Sequence, residues 1–426
     1  MKRAVLSLVV ALAAAALLSP AAAAGKAGRY IVVLRASADA PTVAAQHARS
    51  HGAAVSHVYE HALRGYAARL GGAAVARIER DARVAYVEPD LRVHAFAQVL
   101  PTGVDRIDGE LSPTAKIDGL DDDAVGSVER VNVDVAVIDT GVQFNHPDLN
   151  VVAMTDCTGG GPFRQKCTDG KGEDQNGHGT HVAGTIGALD NGIGVVGVAP
   201  GARIHNVRVL DSRGSGYTSW IIAGIDWVTA RASTIEVANM SLGGSGYTAA
   251  QHTAVKNSVA KGVVHVVAAG NSARDVYGPD GRFGSSDDSQ PASYPEAMTI
   301  SALADADGRS GGLAATSTTF SICTENRDDS FACFSNFSRS VVAGNPVVST
   351  GGAIDLMLPG YLVYSTYVNG GYASSSGTSM ASPHGAGLAA LHVARYGRAA
   401  NASGVAAVRQ ALIDAGRDQT GTSGLT

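Results

Sequence analysis

The chain has 426 residues and a formal charge of −5 at pH 7 with no basic block, which removes the electrostatic footprint of nucleic-acid binding. Glycine is abundant (52 residues), aromatics make up 5% and charged residues 17%, a balance that fits a compact fold with many tight turns and excludes a disordered chain. The length allows a sizeable core and more than one domain.

At the start, Lys2 and Arg3 precede an apolar run over residues 4–18, and Ser19, Pro20 and the alanines of 21–24 supply small residues before a cleavage point. The run is too short to span a bilayer, so residues 1–24 read as a secretory signal and the protein as secreted and extracellular. No later stretch is long and apolar enough to anchor the chain in a membrane.

Residues 25–96 form a first folding unit. RYIVVL is expected to be a strand, residues 40–51 a helix, GYAARL a strand, residues 73–81 a short helix and VAYVEPD a last strand. This order suggests a small α+β sandwich of the ferredoxin-like kind.

From residue 97 to residue 426 the pattern becomes apolar strand, glycine turn, helix. VDVAVI (133–138), ARIHNVRVL (202–210), IEVANMSL (235–242), VVHVVAAG (263–270) and AMTISALA (297–304) are near-continuous apolar runs, with helical stretches at 219–231 and 248–261 between them. Strands buried on both faces with intervening helices predict a mostly parallel, doubly wound α/β sheet with flanking helices. Ligand sites in such sheets lie at the carboxyl ends of the strands, where Asp139, Ser241 to Gly243 and Asn271 fall.

Secretion bears on the four cysteines. Cys157 and Cys167 are ten apart, and so are Cys323 and Cys333. An oxidising compartment favours two disulfides over a zinc site, whose short CxxC spacing is missing. Of the three connectivities, the local one (Cys157–Cys167, Cys323–Cys333) clips two polar loops.

Singly, Asp139, His178, Asn271 and Ser379 each have a structural explanation as a turn or capping residue. Together Asp139, His178 and Ser379 are the residue types of an orienter, base and nucleophile, each in a glycine-flanked turn. A serine hydroxyl becomes nucleophilic when a neutral imidazole can take its proton, and a carboxylate on the far ring nitrogen fixes the tautomer. Gly177 and Gly179 are expected to leave room beside the imidazole. A serine at a helix N-terminus offers its own N–H to a developing oxyanion, and Asn271 can give a second donor.

The blocks VAVIDTGV, NGHGTHVAG and SGTSMASPH, in that order, resemble the subtilisin-like serine proteases (subtilases), over most of the chain from residue 97 onward. The Asp, His, Ser order excludes the α/β-hydrolases. The resemblance implies a serine endopeptidase with Asp139 as orienting acid, His178 as base, Ser379 as nucleophile and Asn271 in the oxyanion hole. It makes His181 a supporting residue, and it places Gly214, Ser215 and Gly216 along an extended substrate. Ser241, Leu242, Gly243, Ala268, Ala269 and Gly270 become walls of the pocket before the scissile bond. Small uncharged walls imply broad specificity with preference for large apolar or aromatic side chains. Thr218 departs from the aromatic residue many subtilisins carry in the next pocket.

The resemblance also implies structural calcium, held by Gln98, Asp148, Leu189, Asn191, Ile193 and Val195, an all-oxygen set suited to a hard cation. The leader unit resembles the subtilase propeptide, an intramolecular inhibitor removed by self-cleavage between residues 94 and 97. Partners are then protein and peptide substrates and the chain's own leader, the mature enzyme being a monomer. The rival from another class is a secreted binding protein with the fold but weakened or lost chemistry. Gly385, where the family has a branched residue, predicts reduced helix stability.

Overall fold

The computed structural model describes residues 28–90, 98–118, 130–159, 167–311, 326–338 and 353–416. The expected signal, the expected cleavage stretch and Cys323 lie outside the described residues. Two units, Met1–His94 and Ala95–Thr426, each have their own core.

The first unit runs β1 (Gly28–Leu34), α1 (Ala40–His51), β2 (Ala54–Tyr59), β3 (Gly65–Leu70), α2 (Gly72–Ile78) and β4 (Val84–Pro89). Its strands pair antiparallel in the order β2-β3-β1-β4. Asp39 caps α1 by accepting the Thr42 N–H, and Gly52 ends it in a left-handed conformation that glycine adopts without strain. Val32, Leu34, Val43, Tyr66, Leu70 and Ile78 fill the core. The ferredoxin-like expectation holds with one addition, β2. Most of its side chains are exposed, so it carries no apolar alternation to read.

The second unit opens with α3 (Thr102–Arg106) and a 3-10 turn (Gly109–Leu111), then β5 (Asp134–Asp139), β6 (Val151–Asp156) and β7 (Thr168–Asp169). It continues with α4 (His178–Gly187), β8 (Arg203–Arg208), α5 (Thr218–Thr229), β9 (Val237–Met240), β10 (Gly244–Ser245) and α6 (Ala249–Val259). Next come β11 (Val264–Ala268), β12 (Ser289–Gln290), β13 (Met298–Ala304), β14 (Ser330–Phe331) and β15 (Leu356–Pro359). The described chain closes with β16 (Val363–Tyr367), β17 (Gly371–Ser375), α7 (Thr378–Tyr396) and α8 (Ala402–Ala415).

Nine strands form the main sheet, in the order β14-β13-β11-β9-β5-β8-β6-β7, with β15 also on β13. The longer strands run parallel, and the two-residue strands β7 and β14 add antiparallel edges. From β5 the chain builds toward β8 and β6, then crosses to β9, β11 and β13. The order therefore reverses between β5 and β9, and a crevice at their carboxyl ends is the natural site.

Every residue of β5, β9 and β11 is buried, as the continuous apolar runs require. Helix α7 packs on the same sheet, and Gly385 has a packing reason there. A Cβ on it would lie 3.1 Å from Ile300 and 3.2 Å from Val266, so those side chains fill the place of the branched residue expected from the family.

Candidate active site

The crevice is built from two helix N-termini. Strand β5 ends on Asp139, which is fully buried, and α4 begins on His178, whose side chain is 29% exposed. Asp139 Oδ1 lies 2.7 Å from His178 Nδ1 and also accepts the Thr140 N–H at 2.7 Å. A carboxylate only accepts, so Nδ1 carries the proton and Nε2 is the lone-pair nitrogen. Burial pulls the imidazole pKa down, but the charge and hydrogen bond of Asp139, with Asp174 beyond, outweigh it and hold the value above the usual 6.5.

The glycines act differently from the sequence expectation. Gly177 has φ +106°, and a Cβ on it would strike the Tyr367 ring at 2.3 Å, so its smallness serves the turn and the β16–β17 hairpin. A Cβ on Gly179 would lie 2.1 Å from the Gly141 carbonyl, which lets α4 sit close on Asp139.

Ser379 stands in the first turn of α7. Pro383 has no N–H to give the carbonyl four residues earlier, so the Ser379 carbonyl is released from the helix, and the Ser241 hydroxyl donates to it at 2.8 Å. Asn239 Nδ2 in turn donates to Ser241 Oγ at 2.9 Å. The Ser379 hydroxyl donates to the Ser241 carbonyl at 3.2 Å, so a rotation about its side chain is needed to address the imidazole. Ser241 follows β9 and Asp139 ends β5, so the residues that touch Ser379 and His178 leave adjacent strands.

Asn271 follows β11. Its Oδ1 accepts the Thr378 N–H (2.8 Å) and hydroxyl (3.0 Å), which turns its Nδ2 outward. A Cβ on Gly377 would lie 3.2 Å from Asn271 Nδ2 and 3.7 Å from both Asn271 Oδ1 and Ser379 N, so the amide and the Ser379 N–H border one space that glycine leaves open. That is the arrangement an oxyanion requires.

Residues 131–425 match the subtilase family (peptidase S8), and residues 29–96 match the peptidase inhibitor I9 family. Subtilisin E of Bacillus subtilis (strain 168) is 39% identical over 331 residues, covering 78% of this chain and 70% of that protein. The chain belongs to the subtilase family. The extracellular serine proteinase of Thermus sp. (strain Rt41A) is 36% identical over 394 residues, 87% of this chain and 81% of that one. Among solved structures, the S41 psychrophilic protease is similar at TM-score 0.54 and 33% identity, covering 75% of this chain and 91% of that chain. The protein is thus a subtilisin-like serine protease with an inhibitor-type leader domain, and nothing in its site favours an inactive binding protein.

The ends of β9 and β11 bring Ser241, Leu242, Ala268 and Ala269 side by side, all buried, with Gly243 and Gly270 at their ends. These residues carry no charge. Residues 213–217 are exposed, and Gly214 and Ser215 sit in a turn closed by the Asp211 N–H to the Ser215 carbonyl at 2.7 Å. The aromatic residue missing at Thr218 has a neighbour in Tyr217, two-thirds exposed and edge-on to Trp220.

His181 is a brace. Its Nε2 donates toward the carbonyls of Val363 and Ala373, both at 3.0 Å, joining α4 to the β16–β17 hairpin. Burial pushes its pKa down to about 4.

The residues expected to hold calcium do meet. Gln98 Nε2 reaches the carbonyls of Leu189 (2.7 Å) and Val195 (3.2 Å), and Asn191 Oδ1 accepts the Ile193 N–H at 3.0 Å within the same loop. Asp148 Oδ2 accepts the Val195 N–H at 3.0 Å, while its Oδ1 is buried without a hydrogen-bond partner. Burial pushes the Asp148 carboxyl up to about 7. A buried, incompletely satisfied carboxylate among converging carbonyls fits a hard cation. A separate group, Asp305, Asp307 and Asp328, gathers carboxylate oxygens within 4.8 Å, but Asp305 is paired with Arg106 at 2.9 Å. The acidic loop at 275–288 satisfies itself, the Ser285 hydroxyl bonding to Asp287 and to Asp288.

Cys157 and Cys167 form a disulfide that joins the end of β6 to the start of β7. Cys333 is also disulfide-bonded, and its expected partner Cys323 lies outside the described residues.

One residue of the site escaped the sequence reading. Asp174, in the turn before α4, has its carboxylate among five donors. An acid two residues before Asn-Gly at the mouth of a helix is an Asx-turn signature that could have exposed it.

Proposed function

We propose that this subtilase is a secreted endopeptidase that hydrolyses proteins through an acyl-enzyme on Ser379. His178 Nε2 takes the hydroxyl proton as Ser379 Oγ attacks the scissile carbonyl. Asn271 Nδ2 and the Ser379 N–H receive the oxyanion, and Asp139 holds the imidazolium. His178 then returns the proton to the leaving amine, and water repeats the sequence to release the acid. The observation that carries this reading is the 2.7 Å Asp139–His178 contact together with the two donors that border the space beside Gly377.

The uncharged residues Ser241 to Gly243 and Ala268 to Gly270 support preference for large apolar or aromatic side chains before the scissile bond. Gly214, Ser215 and Gly216 offer backbone to an extended peptide, which binds it with little regard to sequence. Residues 1–24 serve as signal, 25–96 as inhibitor and 97–426 as the catalytic domain, with self-cleavage between residues 94 and 97. The mature enzyme is a monomer. Calcium at Gln98, Asp148, Leu189, Asn191, Ile193 and Val195 acts on stability, so a chelator is expected to lower the melting temperature before it lowers initial turnover.

The test is to express the full chain with calcium, assay a chromogenic peptide with Phe or Leu before the cut, and read the new N-terminus by mass spectrometry. Ser379→Ala is expected to accumulate uncut precursor with no turnover. Normal maturation of that variant in a protease-free preparation overturns the reading.

A further inference from the structure

Both halves of the Asp139–His178 pair are tied to one buried carboxylate. Asp174 is 7% exposed. Its Oδ1 accepts from the Thr140 hydroxyl (3.0 Å) and from the N–H groups of Asn176 (2.9 Å) and Gly177 (3.0 Å). Its Oδ2 accepts from the N–H (3.0 Å) and hydroxyl (2.6 Å) of Thr180. Thr140, the residue after Asp139, also accepts the Gly179 N–H on its hydroxyl at 2.9 Å. An Asx turn explains the bonds to Asn176 and Gly177. It does not explain two threonine hydroxyls from opposite sides of the site, one on the residue after Asp139 and one two residues beyond His178.

We propose that Asp174 is a positioning residue for the base, locking the strand end that carries Asp139 to the helix start that carries His178 and placing a second negative charge behind the imidazole. His178 is the first residue of α4, where the helix dipole is positive and opposes an imidazolium. Two carboxylates, Asp139 in contact and Asp174 behind, offset that opposition. Of the other ionisable groups around it, the histidines are uncharged in the working range, and Arg208, a fixed cation, has Asp156 within 4.0 Å. His181 on the same helix and His384 on α7 are held neutral by burial, each pushed down to about 4, and Tyr367 on β16 donates its hydroxyl to the Asn176 carbonyl. The Arg208 guanidinium on β8 is turned to the Glu173 carbonyl, Gln175 and the Leu210 carbonyl.

The inference rests on His178 being the base, and the experiment separates the two. Wild type and variants are expressed as full chain, and active enzyme is counted with a serine-directed covalent inhibitor before kcat and KM are measured against pH. If the wild type takes no label, the catalytic reading fails and not this inference alone. Asp174→Asn is expected to lower kcat about tenfold with KM little changed, and to shift the acid limb of kcat/KM to lower pH because imidazolium loses a stabilising charge. Thr140→Val keeps the charge but cuts the tie, so kcat should fall several-fold with the acid limb unmoved. If Asp174→Asn yields no folded enzyme, Thr140→Val decides. Wild-type kcat in Thr140→Val, or an unmoved acid limb in folded Asp174→Asn, overturns the proposal.

Discussion

The starts of α4 and α7 present the proposed base and the proposed nucleophile from the same kind of place, a helix N-terminus at the edge of a parallel sheet, yet they are held by opposite chemistries. Around His178 the anchors are carboxylates, Asp139 and Asp174. Around Ser379 they are neutral amides and hydroxyls: Asn239, Ser241, Thr378 and Asn271. The difference follows from the charge each must carry. The positive end of a helix opposes an imidazolium, so the base needs negative partners. The same end favours an oxyanion, and a carboxylate beside Ser379 would cancel that benefit.

The largest expected effect breaks the charged side. Asp139→Asn keeps the shape but removes the acceptor that sets the tautomer, and kcat should fall about 10⁴-fold, the size known for such triads. A loss under tenfold would mean that Asp174 suffices as the charge partner. On the neutral side, Asn271→Ala is expected to cost about 10²–10³ in kcat with the fold intact by circular dichroism. Unchanged turnover would remove Asn271 from the site. Ser241→Ala tests the scaffold one step further out. It leaves the Ser379 carbonyl without its donor, and denaturant titration should show a loss of about 1–3 kcal/mol.

The smallest effect is one the two sides share. His181 behind the base and His384 in α7 have pKa values pushed down to about 4 by burial, as has His265 in β11. The unfolded chain takes up these protons near pH 6.5 and the native state only near 4, so stability should decline as pH falls through that window. Melting temperatures measured between pH 7 and 4 should drift down, and a flat profile would show that these sites accept protons without cost.

Much of this comparison was legible in the sequence, for a physical reason. Asp139, His178, Asn271 and Ser379 must sit in tight turns at the ends of buried strands, and glycine-rich turns after apolar runs are readable. The exposed strand β2 was not, because nothing on the first unit's surface demands alternation. The β16–β17 hairpin carries a readable Asn369-Gly370 turn, both residues at positive φ, but its contact with the His178 helix has no local pattern. Asp174 lies two residues before the NGHGTHVAG stretch and acts through Thr140 and Thr180, contacts that only the fold creates. Gly385 looked like a weakness in the helix, and Ile300 and Val266 give it its reason.

The pairing of β5 with β9, Val135 beside Val237 and Val137 beside Asn239, has a kinetic consequence. Asp139 and His178 are 39 residues apart, while Ser241 and Ser379 are 138 apart, and that pairing sets the two contacts side by side. Contacts so distant along the chain form late, after the loops between them have closed. Catalytic competence therefore arrives with the last long-range closure and not with any local element, so the proposed self-cleavage would report that the central sheet is complete.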